Sequence, residues 1–292
     1  MKRWIWFLTL AISYLLGATG LAQHFPRTLT DDLGRNITLE AAPQRIVTLL
    51  PSVTETLCAL NACGRLVGVD DFSDYPQQVR QLPRVGGLFN PNLEAMVALK
   101  PDLVIVSVYG RLHEALEKTG VRTFAIRPES YEDIFRTTRL LGRALGAEAQ
   151  AERLVARIQQ EVYAVERRVA SATVRPTVYY EIDPTPFTAG PDSFIGVLIT
   201  RARGQNIIPR ELGPFPQISP ELVVQRNPAI IVLTHPGAAG LRNRPGWGSL
   251  RAIQANRICT FTGESDNLLS RPGPRVAQGL LLLVGCFHPG LR

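Results

Sequence analysis

The chain has 292 residues, 45% of them hydrophobic and 20% charged, with a formal net charge of +7. That balance belongs to a globular protein and excludes one dominated by disordered arms. The positive residues are dispersed, with no Lys/Arg run and no patch interleaved with aromatics, which argues against nucleic acid as a partner.

Residues 1–22 combine a basic start, an apolar run over 4–16 and small residues ending at Ala22. This is the pattern of a cleavable secretory signal, with cleavage expected before Gln23 and a periplasmic destination. The run is shorter than the ~20 residues that a membrane span needs. No cysteine follows the cleavage point directly, so lipid attachment there is not expected. The four cysteines, Cys58, Cys63, Cys259 and Cys286, fit an oxidising compartment. The most economical pairing is one bridge in each half. Cys259 on a predicted strand and Cys286 at the end of the last helix can lie side by side, whereas a Cys58–Cys63 bridge over five residues strains the geometry. No CxxC or paired histidine spacing accompanies them, which argues against a metal site.

Beyond the signal, alternating Thr, Leu and Ile around Asp-Leu-Gly predict a hairpin. Strands follow at 46–50, 66–69, 103–106 and 123–126, separated by helices ending at Asn61 and spanning 93–99 and 111–119. Such alternation implies a parallel sheet covered by helices on both faces. An amphipathic helix at 131–145 precedes a longer one over 147–171, where Leu154, Ile158, Val162, Val165 and Val169 form one stripe of helical period.

The order then repeats: a strand at 177–181, a Pro-rich loop, helices at 193–203 and 220–226, strands at 230–233 and 258–261, and a last helix over 274–286. NPNLEAMVALKPDLVIVS superposes on QISPELVVQRNPAIIVLT without a gap, placing Glu94 on Glu221 and Pro101 on Pro228. Asn92 and Ser219 take equivalent N-cap positions. The expected architecture is α/β: two Rossmann-like lobes with central parallel sheets, residues 23–146 and 173–292, joined by one long α-helix over 147–172.

Enzymatic signatures are absent: the sequence has no GxGxxG, Walker A loop, GxSxG or HExxH. The nearest nucleophile and base set, Ser52, His235 and Asp183, lacks a supporting motif, and His113 and His288 read as solvated. Asp183, Asp192 and Asp266 read as loop residues. Ligands of parallel sheets bind outside the carboxyl ends of the strands. There the sequence places residues 51–54, Phe72, Tyr75, Tyr109, residues 184–187, His235 and residues 266–271, with Phe89, Phe215 and Trp247 in neighbouring loops. Facing rims of this kind suit a large, flat, partly apolar ligand.

The stretches RIVTLLPSVTETLCALNACGRLVGV, DYP at 74–76, VGGLFNPNLEAMVALKPDLV, VYYEIDPTPFTAGPDSFIGVLITRARGQNI, RPGWGSLRAI and LLSRPGPR carry a resemblance. The chain resembles the substrate-binding proteins of ABC importers whose lobes are joined by a single helix, and among them the cobalamin (vitamin B12) receptors. The resemblance implies a monomeric receptor, without catalysis or cofactor, that captures a corrinoid between its lobes and delivers it to a membrane permease. It also implies that Glu94 and Glu221 dock with permease arginines, from first helical turns where the helix dipole keeps a carboxylate ionised. It offers Tyr75, Phe89, Phe187, Trp247, Asp266 and Arg271 as ligand contacts, beside Tyr109 and Phe215 from the loop positions. Ser73 stands where relatives often carry a cysteine. The first and third stretches are shared with ferric-siderophore and haem receptors, a reading that would draw on cleft arginines such as Arg271 and Arg111.

Overall fold

The computed structural model describes residues 25–291, so the expected signal segment at 1–22 lies outside the described residues. The hairpin pairs β1 (Arg27–Thr30) with β2 (Asn36–Leu39). Its turn is closed by Asp31, whose carboxylate accepts the amides of Leu33 and Arg35 and, from the neighbouring sheet, that of Ala125. Burial works against the Asp31 charge, but the bonds from Arg35 and Ala125 outweigh it and hold the carboxyl below its ordinary range.

The first sheet is built from β3 (Ile46–Thr48), β4 (Leu66–Val69), β5 (Leu103–Ser107) and β6 (Thr123–Ile126), in the order β4-β3-β5-β6 and all parallel. Helices α1 (Pro51–Ala59), α2 (Leu93–Ala98) and α3 (Leu112–Glu117) connect these strands. The continuous apolar runs fit a sheet buried on both faces. Val47, Val104, Val106 and Ala125 face one core, while Ile46, Leu103, Ile105 and Phe124 face another.

Helix α4 (Tyr131–Leu145) opens with a capping box: Ser130 accepts the Asp133 amide at 3.1 Å and Asp133 accepts the Ser130 amide at 2.8 Å. It closes on left-handed Gly146, φ 67°, and the chain turns back into the connecting helix α5 (Glu148–Val169). A Cβ on Gly142 would stand 2.4 Å from the Ala151 methyl, so only glycine allows these two helices to approach as they do. Every residue of the predicted stripe on α5, from Leu154 to Val169, is buried.

The second sheet contains β7 (Thr177–Asp183), a two-residue β8 (Phe187–Thr188), a two-residue β9 (Gln205–Asn206), β10 (Ile230–Leu233) and β11 (Ile258–Thr260). Its path is β11-β10-β7-β8; β9 also pairs with β7, and β8 is the one antiparallel member. Helices α6 (Phe194–Arg201), α7 (Pro220–Arg226), α8 (Arg251–Gln254), α9 (Glu264–Ser270) and α10 (Val276–Phe287) complete the half. The architecture is thus the expected pair of α/β lobes on one connecting helix. Among the described residues no helix is long and apolar enough to cross a membrane.

Several local expectations are corrected. Residues 264–270, read as a loop containing Asp266, form α9; with Leu269 as its one buried residue, the segment shows no helical period to read. The strands β8 and β9 are too short for alternation to register. The cysteine pairing, by contrast, is the most economical one, a bridge in each half: Cys259 to Cys286, joining β11 to α10, and Cys58 to Cys63. The second pair, disfavoured by its spacing, forms because Asn61 at φ 62° folds the chain back and brings the two Cα atoms to 4.1 Å. His288, read as solvated, is buried, and its ring Nε2 meets the Ala202 carbonyl at 3.0 Å.

The lobes meet through an ion-paired clasp. Glu55, buried on α1, accepts Arg271 at 2.9 Å and two nitrogens of Arg275, Nε at 2.7 Å and NH2 at 2.6 Å. Arg271 also donates to Asp74 at 2.7 Å and to the Phe72 carbonyl at 2.9 Å, while Asn267 donates to Asp74 at 3.1 Å. Arg275 lies 3.8 Å from the Tyr75 ring centroid and also pairs with Glu264. Burial opposes the Asp74 charge, but the bond and charge of Arg271 outweigh it and lower the carboxyl; burial likewise opposes the Arg275 charge, and Glu55 outweighs it and raises the guanidinium. Replacing Glu55 with Gln would leave two arginines half-compensated in the interface. Urea unfolding of Glu55→Gln is expected to show a loss of about 3–5 kcal/mol, the range for removing one partner of a buried pair. A loss below about 1 kcal/mol, the range of surface pairs, would show that the clasp holds nothing.

Candidate functional site: the cleft between the lobes

The carboxyl ends of the two sheets open toward each other, and two adjoining chambers lie between them. The first, of about 440 Å3, takes Leu50 after β3, Phe72 after β4, Tyr109 after β5 and residues 127–129 after β6 from one lobe. The other lobe contributes Asp266, Asn267, Ser270 and Arg271 from α9 and its C-terminal cap, followed by Pro272. The second, of about 430 Å3, shares Tyr109, Pro128, Glu129, Ser270 and Pro272 and adds Ile182, Phe187, Phe194, Ile195 and Phe215. Its wall is aromatic: Phe187 on β8 and Phe215 stack with centroids 6.5 Å apart and planes 22° apart. The antiparallel return of β8 off β7 is what brings Phe187 to this wall, and a bridge from Phe187 to Gln217 holds the Phe215 loop beside it.

Tyr109, Phe187, Phe215 and Asp266 therefore line the chambers as the sequence predicted. Burial pushes the Asp266 carboxyl up, with the Arg271 charge pulling the other way. Four other predicted contacts sit differently. Trp247 is 0% exposed and lines neither chamber: its indole packs edge to face on Tyr179 at 5.7 Å, under Arg244 at 4.5 Å. It belongs to the core on the sheet face occupied by Tyr179, Ile231 and Leu233, because the Pro245-Gly246 turn folds it inward. Arg271 reaches the first chamber, yet its guanidinium is engaged by Glu55, Asp74 and Phe72. The Tyr75 ring lies against Arg275 of the clasp, outside the chamber linings. Phe89 is 96% exposed at its loop tip, and its neighbour Leu88 is the residue that lines the cleft.

Glu94 and Glu221 occupy the exposed first turns of α2 and α7, as the repeat predicted, and neither is in an ion pair among the described residues. Asn92 caps α2 by accepting the Ala95 amide at 3.0 Å, whereas Ser219 makes no such bond and Pro220 starts α7 instead. Arg111 is turned to Glu114 on the surface. Ser73 bonds Asp70 and Thr54 inside the first lobe. His235 meets the buried Glu181 at 2.9 Å and Asp183 accepts from Thr185, so neither forms a catalytic set with Ser52.

Glu129, Phe194 and Ile195 were not predicted, whereas Asn267 falls within the stretch 266–271 that the sequence placed at the strand ends. Glu129 carried a signal, since it follows a strand and immediately precedes the Ser130 capping box. Phe194 lay within the quoted PDSFI stretch, where a helix start conceals that it faces a cleft. Burial, reinforced by the Asp133 charge, pushes the Glu129 carboxyl up.

Comparison with known proteins agrees with this geometry. Residues 46–264 match the profile of the periplasmic binding protein family. A cobalamin-binding protein of Halobacterium salinarum is 31% identical over 279 residues, covering 90% of this chain and 74% of that protein. Among solved structures, the apo form of a periplasmic haem-binding protein from Roseiflexus sp. RS-1 superposes with a TM-score of 0.76 at 26% identity, covering 85% of this chain and 99% of that one. A periplasmic vitamin B12-binding protein of Vibrio cholerae shares the fold, with a TM-score of 0.71 at 24% identity over 84% of this chain and 96% of that one. Two α/β lobes on one connecting helix, a lined cleft between them and a family match over most of the chain lead to one assignment: the protein belongs to the periplasmic binding protein family.

Proposed function

We propose that the protein is the receptor of an ABC importer, holding cobalamin or a related corrinoid between its lobes and passing it to a membrane permease. The observation that carries this reading is the double chamber, walled by Tyr109, Phe187 and Phe215 and edged by polar groups on both lobes. A flat macrocycle with apolar faces and a hydrogen-bonding edge matches that lining. The relative named for cobalamin supports the choice of ring. The secretory pattern of residues 1–22 supports a periplasmic receptor. A haem or ferric-siderophore receptor is the second reading, favoured by the haem-binding relative of the same fold.

Glu94 and Glu221 are the docking groups in this proposal. Two unpaired carboxylates at equivalent, exposed positions of the two lobes suit bidentate arginines on a permease with its own twofold arrangement.

A visible-absorption titration of the purified protein with cyanocobalamin should saturate, and binding of haemin with none of cyanocobalamin would transfer the assignment to the second reading. Removal of one ring of the stacked pair in Phe187→Ala should weaken corrinoid binding by about tenfold, roughly 1.4 kcal/mol; an unchanged affinity would place the ring outside the contact. The Glu94→Ala/Glu221→Ala double variant should bind as the parent does and fail in uptake by cells carrying the importer. A loss of ligand affinity in that variant would contradict the docking role.

A further inference from the structure

Given the receptor reading above, the charged groups of the cleft narrow the chemistry of the ligand's edge. Glu129 and Asp266 line the first chamber from opposite lobes, one just after β6 and the other in the first turn of α9. Glu129 is fixed by its own backbone: its amide donates to Asp133 at 3.1 Å, and its carbonyl accepts the Phe194 amide across the cleft at 3.3 Å. The nearby arginines offset these acids only in part: the Arg271 charge acts on Asp266 without overcoming its burial, and neither acid is in an ion pair among the described residues. Arg271 is held by Glu55, Asp74 and the Phe72 carbonyl, and Arg275 by Glu55 and Glu264. Arg127 is the one lining cation outside an ion pair among the described residues, and it sits at the solvent side.

A carboxylate accepts hydrogen bonds and donates none when ionised, so its natural partner is an N–H donor. A primary amide supplies two such donors without charge. A ligand carboxylate at the same place would face like charge in a partly dewatered chamber, where Coulomb repulsion exceeds its value in bulk water. Burial already disfavours the ionised forms of Glu129 and Asp266, and a further anion would compound that cost. We infer that Glu129 and Asp266 are specificity-determining residues that admit a macrocycle edged with primary amides and turn away one edged with carboxylates.

The test compares matched amide and acid ligands by equilibrium titration at neutral pH. One pair is cyanocobalamin and its monocarboxylic acids, each with one side-chain propionamide hydrolysed. The other is haemin and the derivative in which both propionates are converted to amides. For whichever ring binds, the wild-type protein should favour the amide form by about tenfold or more. Glu129→Gln/Asp266→Asn should bring the two forms within about twofold, while Arg127→Gln should leave the preference for amides in place or widen it. Equal affinities in the wild-type protein, a preference for the acid form, or a preference that survives the double substitution would each overturn the inference. Preference for the amide of haemin with no corrinoid binding would retain the inference while refuting the corrinoid reading. Binding of neither ring would overturn both.

Discussion

Everything about the cleft depends on Glu55. Its carboxylate sits in the first helix after the first central strand, nearly out of contact with solvent, and takes hydrogen bonds from two arginines of the opposite lobe. Burying such a charge costs several kcal/mol unless the geometry satisfies it, so a buried ion pair is weak evidence of stability and better evidence of a fixed arrangement. Here it fixes how far apart the lobes stand, and Arg271, one of its partners, forms part of the chamber lining. The same residue that a ligand would approach is already committed to holding the wall.

The second lobe uses a comparable device for a different purpose. Glu181 on β7 is wholly buried and receives Tyr179 at 2.9 Å, His235 at 2.9 Å and both terminal nitrogens of Arg244 at 2.6 and 2.8 Å. With every acceptor position facing a donor, the charge is tolerable in the interior. Tyr179 is pushed well above the ordinary phenol range by burial first and by the Glu181 charge second, so it stays a donor. This network ties the segment from His235 to Trp247 onto the sheet. Trp247 of the RPGW stretch thus belongs to the lobe's interior, while Pro245 and Gly246 stay exposed.

What the sequence revealed and what it concealed follow from range. The stripe on α5, the apolar strands and the superposable halves are local patterns, and all appear in the fold. The equivalence of Glu94 and Glu221 was legible because a repeat is local information stated twice. The clasp was not legible: Arg271 and Glu55 are 216 residues apart, and nothing near either one reports the other. Of the loop aromatics, Tyr109, Phe187 and Phe215 line the chambers and Trp247 does not, since loop position carries no sign of whether a ring turns inward. Glu129 was passed over because a lone acid before a helix cap looks like capping chemistry, and its distinction comes only from the lobe that covers it.

One apolar core runs without interruption from Ile46 and Phe124 in the first lobe, along the buried stripe of α5, to Tyr180, Ile230 and Leu280 in the second. The halves therefore share an interior, and severing them would expose a seam that neither could close alone. A wide hinge of the kind that snaps shut on cargo is incompatible with such continuity, because opening it would tear the common interior. If the proposed receptor role holds, a transporter would tell a filled cleft from an empty one by the altered outline and charge of a mouth that hardly moves.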